Sequence, residues 1–317
     1  MSREAVLLMA YGTPERLEDV GPYYTHIRRG NPPPAELLAE LIERYQAIGG
    51  ATPLNRITRQ QALALEAELA RRGHALPVVV GFKHAAPFVA DAVQELARAG
   101  VDRVIGLVLA PHYSLRSVKE YQAYAESARP AGMAIDVIPS WHDHPALVDA
   151  LAARLARSID GAADPLVVFT AHSIPVRAIT TEYAPTDLEG APPQVGAPGD
   201  PYPRQLEETA RLVAARAGVS RWTVAYQSAG RTAEAWIGPD VKEVIERAAD
   251  EGERMVVVHP IGFVADHLEI LYDVDLEARS VANRRGLVFA RPAMPNADPD
   301  FITVLAEVVE ARLEEAG

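Results

Sequence analysis

Short, nearly continuous apolar runs alternate along the chain with longer stretches in which apolar positions recur every three or four residues. The runs fall at Ala5–Ala10, Val78–Phe82, Val104–Leu109 and Ala134–Ile138, then at Leu166–Thr170, Trp222–Tyr226, Met255–His259 and Leu287–Ala290. None of them alternates apolar with polar, so each reads as a strand buried on both faces, the pattern of a parallel sheet covered by helices. Between them, Asn55–Arg72 sets Ile57, Leu63, Leu65 and Leu69 in a helical pattern and stops at Gly73, while Pro87–Ala99 opens on proline and stops at Gly100. Proline just inside the start and glycine just past the end is the asymmetry that helices favour. Pro145–Arg157, Pro203–Ala217, Asp240–Asp250 and Pro299–Glu315 repeat the design. Strands alternating with helices at this spacing predict an α/β fold with right-handed crossovers.

The eight strands divide four and four near Pro139–Trp141. This predicts an N-terminal lobe over 1–139 and a C-terminal lobe over 140–308, with a last helical segment, 309–317, packing back on the first lobe. The first strand runs into LLMAYGTP and the fifth into VVFTAHSIP. That likeness suggests two similar Rossmann-like lobes, each a four-stranded parallel sheet flanked by helices. Ligands of such sheets bind beyond the carboxyl ends of the strands, so these two loops are expected to face one cleft. From Thr180 to Tyr202 the chain is rich in Pro, Gly and Ala and reads as a long loop.

Composition narrows the chemistry. The 317 residues include no cysteine, which excludes disulfides, thiolate catalysis and a cysteine-held iron–sulfur cluster, and leaves any metal to His, Asp, Glu or Tyr. Asp and Glu number 43 against 31 Lys and Arg, a net charge of −12 that disfavours nucleic acid, whose phosphates need a basic field. There is no run of about 20 apolar residues, and the early apolar run is too short for a secretion signal, so a cytoplasmic protein with no integral membrane segment is expected. No Walker A or GxGxxG pattern supports nucleotide binding.

Three groups of residues carry candidate chemistry. In MVVVHPIGFVADHLEILYD a buried strand meets a glycine turn, and a helix is expected to start near Ala265 or Asp266. Glu269, Asp273 and Glu277 then recur every four residues, a slowly drifting row on one face. An acidic row is ordinarily a solvated face, but this one begins where a buried strand ends, and oxygen donors leading into a cleft suit a divalent cation. His172 follows the fifth strand and Tyr11 the first. Each residue type often serves only to cap a core, and each can equally act in a cleft, the imidazole as ligand or proton acceptor. His84 and His112 also follow strands and read as wall residues. Arg28 and Arg29, then Arg44 and Tyr45 with Thr52 beyond a Gly-Gly turn, form a basic and hydroxyl-bearing group of the kind that holds carboxylates.

These segments resemble the ferrochelatases. The matching motifs are MAYGTP, YYTHIRRG, RYQAIGGATPL, APHYS, TAHSIP, GDPYP, YQSAGRTAEAWIGPDV and GFVADHLEILYD, with PAMPNADPDF near the C-terminus. The match runs from end to end, and YYTHIRRG with RYQAIGG is most similar to the soluble, monomeric bacterial branch that acts on coproporphyrin III. The resemblance implies insertion of Fe2+ into a porphyrin in haem biosynthesis, with the ring held between the lobes. It places His172 and Glu269 on the family's metal and catalytic pair, and Asp273 and Glu277 on its carboxylate row, where the helix is locally wider than α. Tyr11 falls opposite the metal; Arg28, Arg44, Tyr45, Thr52 and Tyr121 fall on porphyrin-contacting positions. Iron enters as substrate, no permanently bound cofactor is implied, and a haem-receiving enzyme is the expected partner. Two departures stand out: the loop between AHSIP and GDPYP is longer than in compact members, and Thr52 replaces the more usual serine while keeping its hydroxyl.

A ferrochelatase acting on protoporphyrin IX is the alternative within the family, and two rival readings lie outside it. Related chelatases that load cobalt or iron into a more reduced tetrapyrrole tend to present paired histidines, whereas here the pair is His with Glu. A porphyrin carrier without catalysis needs the aromatic and arginine contacts but has no use for the Glu269–Asp273–Glu277 row.

Overall fold

The apolar runs assemble into two sheets of the same design. The computed structural model describes residues 3–115, 117–161, 164–179, 199–230 and 234–315. The first sheet holds β1 (Glu4–Ala10), β2 (Val78–Phe82), β3 (Arg103–Val108) and β4 (Ala134–Val137), ordered β2-β1-β3-β4. The second holds β5 (Leu166–His172), β6 (Trp222–Gln227), β7 (Met255–His259) and β8 (Val288–Ala290), ordered β6-β5-β7-β8. All pairings are parallel. In each sheet the first strand lies between the second and third, so strand order reverses beside β1 and beside β5. A crevice opens at such switch points, and Tyr11 and His172 stand at the carboxyl ends of these two strands. The two halves are therefore alike in topology as well as in motif, and the expected α/β fold with four-stranded parallel sheets is the one observed.

Helices cover both faces. They are α1 (Val20–Ile27), α2 (Ala35–Ala47), α3 (Leu54–Arg71), α4 (Val89–Arg98), α5 (Val118–Ala128) and α6 (Pro145–Ser158), then the single turn α7 (Val176–Ile179), α8 (Tyr202–Ala217), α9 (Val241–Asp250), α10 (Arg279–Arg284) and α11 (Pro299–Glu315). One apolar cluster is shared by the two sheets. It takes Val6 and Leu8 from β1, Ile105 and Leu107 from β3, Val167 and Phe169 from β5 and Val257 from β7, with side chains from α3, α6, α8 and α11. Burying one cluster between both sheets ties the halves together, so the cleft between them has a fixed floor. The final helix, α11, packs against α3 and α6. It is clamped to the first half by Arg312, whose Nη2 and Nε donate to Asp136 at 2.6 and 2.9 Å, and by Arg72 Nη1 to Glu310 at 2.7 Å. Among the described residues no helix is long and apolar enough to cross a membrane. Most of the proline-rich loop expected over 180–202 lies outside the described residues.

Helix start is corrected in one place. The segment expected to become helical near Ala265 or Asp266 does so only at Leu268, and continues as a π-helix over Glu269–Ala278 into α10. The reason is a contact distant in sequence. The Asp266 backbone N–H donates to Asn296 Oδ1 at 2.9 Å, and Asn296 Nδ2 returns a bond to Asp266 Oδ2 at 2.8 Å, which ties this stretch sideways to the loop before α11.

Candidate active site

A cavity of about 870 Å³ lies between the two sheets at their carboxyl ends. Tyr11, Arg44, Tyr121, His172, Glu269, Asp273 and Glu277 all line it. Arg28, Tyr45 and Thr52 do not: Arg28 is exposed beside the Tyr24 ring, 5.9 Å from its centroid. Tyr45 is buried and hydrogen-bonded to Thr13 Oγ1 at 3.0 Å, and Thr52 Oγ1 donates to the same hydroxyl at 3.1 Å. These two residues hold Thr13, which does line the cavity, so they act on it from behind; Arg29 takes the wall position beside Arg28.

His172 ends β5, and its Nδ1–H donates to the Ser173 carbonyl, which turns Nε2 toward Glu269 Oε1 at 3.4 Å. Fixing one ring nitrogen decides which face the other presents. Glu269 opens the π-helix. Its backbone carbonyl accepts from Gln227 Nε2 at 2.8 Å, and Gln227 Oε1 in turn accepts from Thr170 Oγ1 at 2.9 Å, so strands β5 and β6 together set the carboxylate in place. Its other oxygen, Oε2, stands 3.6 Å from His267 Nε2. Burial opposes charge on both members of the pair, yet the attraction between them wins: it raises the His172 imidazole above its ordinary value and holds the Glu269 carboxyl below the usual carboxylate range. They titrate as one coupled unit.

Asp273 and Glu277 follow on the same face because a π-helix is wider than 3.6 residues per turn, so four-residue steps stay aligned. Neither carboxylate is free. Asp273 is buried, with Oδ1 accepting from Arg44 Nη2 and Oδ2 from Ser228 Oγ, and burial pushes its pKa up. Glu277 accepts from Lys242 Nζ at 3.0 Å. Among the described residues no three His, Asp or Glu side chains are arranged to hold an ion by themselves.

Tyr11 faces the cavity from the first half, 43% exposed although recessed among protein atoms, and burial together with the Glu269 and Glu120 charges pushes its phenol up, so it is a neutral hydroxyl at pH 7. Gly12 after it has φ 85°, a turn that swings the chain away and leaves the ring presented. Lys83, nearly buried and paired with Glu120, lies 5.7 Å from the Tyr11 ring centre and 5.6 Å from that of Tyr121. His84 packs 4.6 Å from the Tyr11 ring, and burial and Lys83 push its pKa down to about 3. His112 is buried on Thr209 Oγ1 at 2.9 Å and is likewise pushed down to about 3, by burial first. Both are neutral at pH 7 and form wall, as their positions after strands suggested. Sequence reasoning missed His267, Lys83, Glu120 and Ser228. His267 could have been found from its place two residues before Glu269; the others are brought in by the fold.

The ferrochelatase family model matches residues 3–313. This chain belongs to the ferrochelatase family. Among its relatives, the coproporphyrin III ferrochelatase of Halalkalibacterium halodurans is 42% identical over 319 residues, covering 98% of this chain and 97% of that one. A ferrochelatase of Thermus thermophilus is 44% identical over 329 residues, covering 96% and 98%. Solved structures share the fold at low identity. The sirohydrochlorin chelatase SirB from Bacillus subtilis subspecies spizizenii, in complex with cobalt, aligns with TM-score 0.56 at 13% identity, over 97% of this chain and 94% of that one. CbiX, described as the terminal enzyme for biosynthesis of siroheme in denitrifying bacteria, aligns with TM-score 0.52 at 12% identity, over 97% and 98%. Membership makes the chain a metal chelatase and disposes of the carrier reading.

Proposed function

We propose that the cleft inserts ferrous iron into coproporphyrin III, giving iron coproporphyrin III and two protons. The observation that carries the reading is the His172–Glu269 pair facing the cavity that Tyr11 lines from the other half, in a chain 41–42% identical to several relatives named coproporphyrin III ferrochelatase. Metalation must strip water from the ion, bring it to four inner nitrogens and remove two N–H protons. A free porphyrin is planar and presents those nitrogens poorly, so binding energy from the periphery is spent on bending the ring. His172 and Glu269 share ligation and proton acceptance as one unit, and a cation arriving at Nε2 replaces the proton the pair holds. Tyr11, a neutral hydroxyl, can face the ring from the opposite side without adding charge. Arg44 and Tyr121 take porphyrin contacts at the cavity wall, with Arg28 at the exposed edge and Tyr45 and Thr52 holding Thr13 from behind. The same reading takes the enzyme as a cytoplasmic monomer that hands its product to a downstream acceptor.

The test is anaerobic mixing of metal-free coproporphyrin III with Fe2+ and catalytic amounts of protein, followed by porphyrin absorbance. Multiple turnovers to the metalloporphyrin are expected. A rate equal to the protein-free control overturns the reading.

A further inference from the structure

Three cations that line the cleft each hold a carboxylate that also lines it: Lys83 with Glu120, Lys242 with Glu277 at 3.0 Å, and Arg44 with Asp273. A porphyrin carboxylate that settles on one of these cations therefore competes with the carboxylate already there. At Arg44 the displaced partner belongs to the row below Glu269, and the pair joins α2 of the first half to the π-helix of the second.

Two features fit this pair for exchange. Arg44 Nε is buried and has no hydrogen-bond partner among the described residues, although Nη2 holds Asp273. A guanidinium carries five donors, and a buried one left unmatched is costly, so a donor is waiting for a further acceptor. Second, Ser228 stands at φ 59°, a backbone conformation that serine seldom adopts and that persists only where the surroundings enforce it. Its hydroxyl holds Asp273 Oδ2, the oxygen that Arg44 does not use. If Arg44 turns to another anion, Oδ1 is released while Oδ2 stays anchored, so the carboxylate remains aimed. The Tyr272 ring, 4.9 Å from the Arg44 guanidinium carbon, gives the cation a surface against which to turn.

We infer that Arg44 couples porphyrin docking to metal loading: a porphyrin carboxylate draws the Arg44 guanidinium from Asp273, and the released Asp273 Oδ1 becomes a donor for the incoming divalent cation. This rests on the reading above, in which Arg44 holds a porphyrin carboxylate. Without porphyrin the row is neutralised from within and binds metal weakly; with it the row opens. Linkage makes the effect reciprocal, so metal on Asp273 strengthens porphyrin binding by the same factor.

The probes are Co2+, titrated calorimetrically, and iron(III) coproporphyrin III, whose ring is already filled and takes no second metal. Co2+ affinity is measured with and without the porphyrin in wild type, Asp273→Asn and Arg44→Gln. Any contribution from His172 and Glu269 is common to all three and cancels. The porphyrin is expected to tighten Co2+ binding about tenfold more in wild type than in Asp273→Asn, within the 5–150-fold span of ordinary couplings. Arg44→Gln should bind Co2+ tightly without porphyrin and show no further gain. An equal porphyrin effect in wild type and Asp273→Asn, with porphyrin affinity weakened by Arg44→Gln, overturns the coupling and leaves the porphyrin contact standing. Unchanged porphyrin affinity in Arg44→Gln overturns the contact and the coupling with it. Should Arg44→Gln not fold, the comparison of wild type with Asp273→Asn decides alone.

Discussion

Replacing Glu269 by glutamine keeps the side-chain shape and removes one negative charge. That charge lies 3.4 Å from His172 Nε2 and 3.6 Å from His267 Nε2. A pair of unit charges this close interacts by about 4 kcal/mol at an effective dielectric near 20. The His172 side chain is 38% exposed to the cavity, so water screens part of this. The glutamine variant also loses a proton acceptor, and a positioned acid–base group is worth about 10²–10⁴ in rate. We therefore expect kcat for iron insertion to fall by about 10²–10⁴-fold in a protein that still folds and still binds porphyrin. Removing His172 as well should cost little more, because groups that act as a unit are not additive. The pair also leaves a pH signature in stability. His172 is raised in the folded state, so its contribution is full below the ordinary imidazole value of about 6.5 and is lost as pH rises through the raised one. Glu269 is lowered, so its contribution is present above about 4.5 and is lost only as pH falls through its depressed value. The stability gap between wild type and Glu269→Gln should thus be widest between about pH 4.5 and 6.5 and narrow toward alkaline pH. Anaerobic kinetics and thermal melts across pH read both effects. A folded Glu269→Gln protein with kcat within tenfold of wild type refutes the assignment.

Asp273→Ala and Glu277→Ala should each raise the apparent KM for Fe2+ several-fold with modest change in kcat, since each lies a further turn from Glu269; unchanged KM with a collapsed kcat in steady-state assays contradicts a role in metal supply. Gly262→Ala should lose about 1–3 kcal/mol of stability and lower kcat, because its added Cβ meets Ala171 Cβ at 2.4 Å and Ala171 Cα at 2.8 Å, directly before His172; melts and activity both equal to wild type sink the argument. Coproporphyrin III should exceed protoporphyrin IX in kcat/KM by about fivefold, the yield of two extra carboxylate contacts at roughly 0.5 kcal/mol each. The estimate sits at the low end because the cleft cations begin already paired, and equal values for the two porphyrins, both kept monomeric in the same detergent, refute it.

The strands were legible because each carries an apolar run too short for a helix and set off from the helical stretches around it. The resemblance of MAYGTP to TAHSIP reflects a shared position: Tyr11 and His172 stand at the same point of two sheets with the same strand order. Less was legible where polar contacts set the geometry. Helix α1 contains Pro22 and no strong apolar period marks it, whereas α2 sets Leu38, Leu41, Ile42 and Tyr45 at helical spacing, a signal overlooked behind the prolines at 32–34. The start of the π-helix was misplaced because Asn296, thirty residues on, binds Asp266 in a way no local pattern encodes. Tyr45 and Thr52 read as contacts because they carry hydroxyls, but both hydroxyls are taken by Thr13. The pairing of Arg44 with Asp273 joins residues 229 positions apart and is a product of the fold alone.

That pairing changes how the charge of the protein bears on its substrates. A net charge of −12 attracts Fe2+ at long range and repels a porphyrin with four carboxylates. A cleft with free cations would offset the repulsion, but would also face the metal with positive charge. Here Arg44, Lys83 and Lys242 each stand against a carboxylate of the same cleft, so these three pairs add little net charge to the wall until a ligand arrives. At these three cations an anion competes with a carboxylate at contact distance. The exchange returns a carboxylate to the cleft beside Glu269, where a cation is needed next. Metal capture is in this way served by the field of the whole molecule, and porphyrin capture by local contacts that leave that field intact.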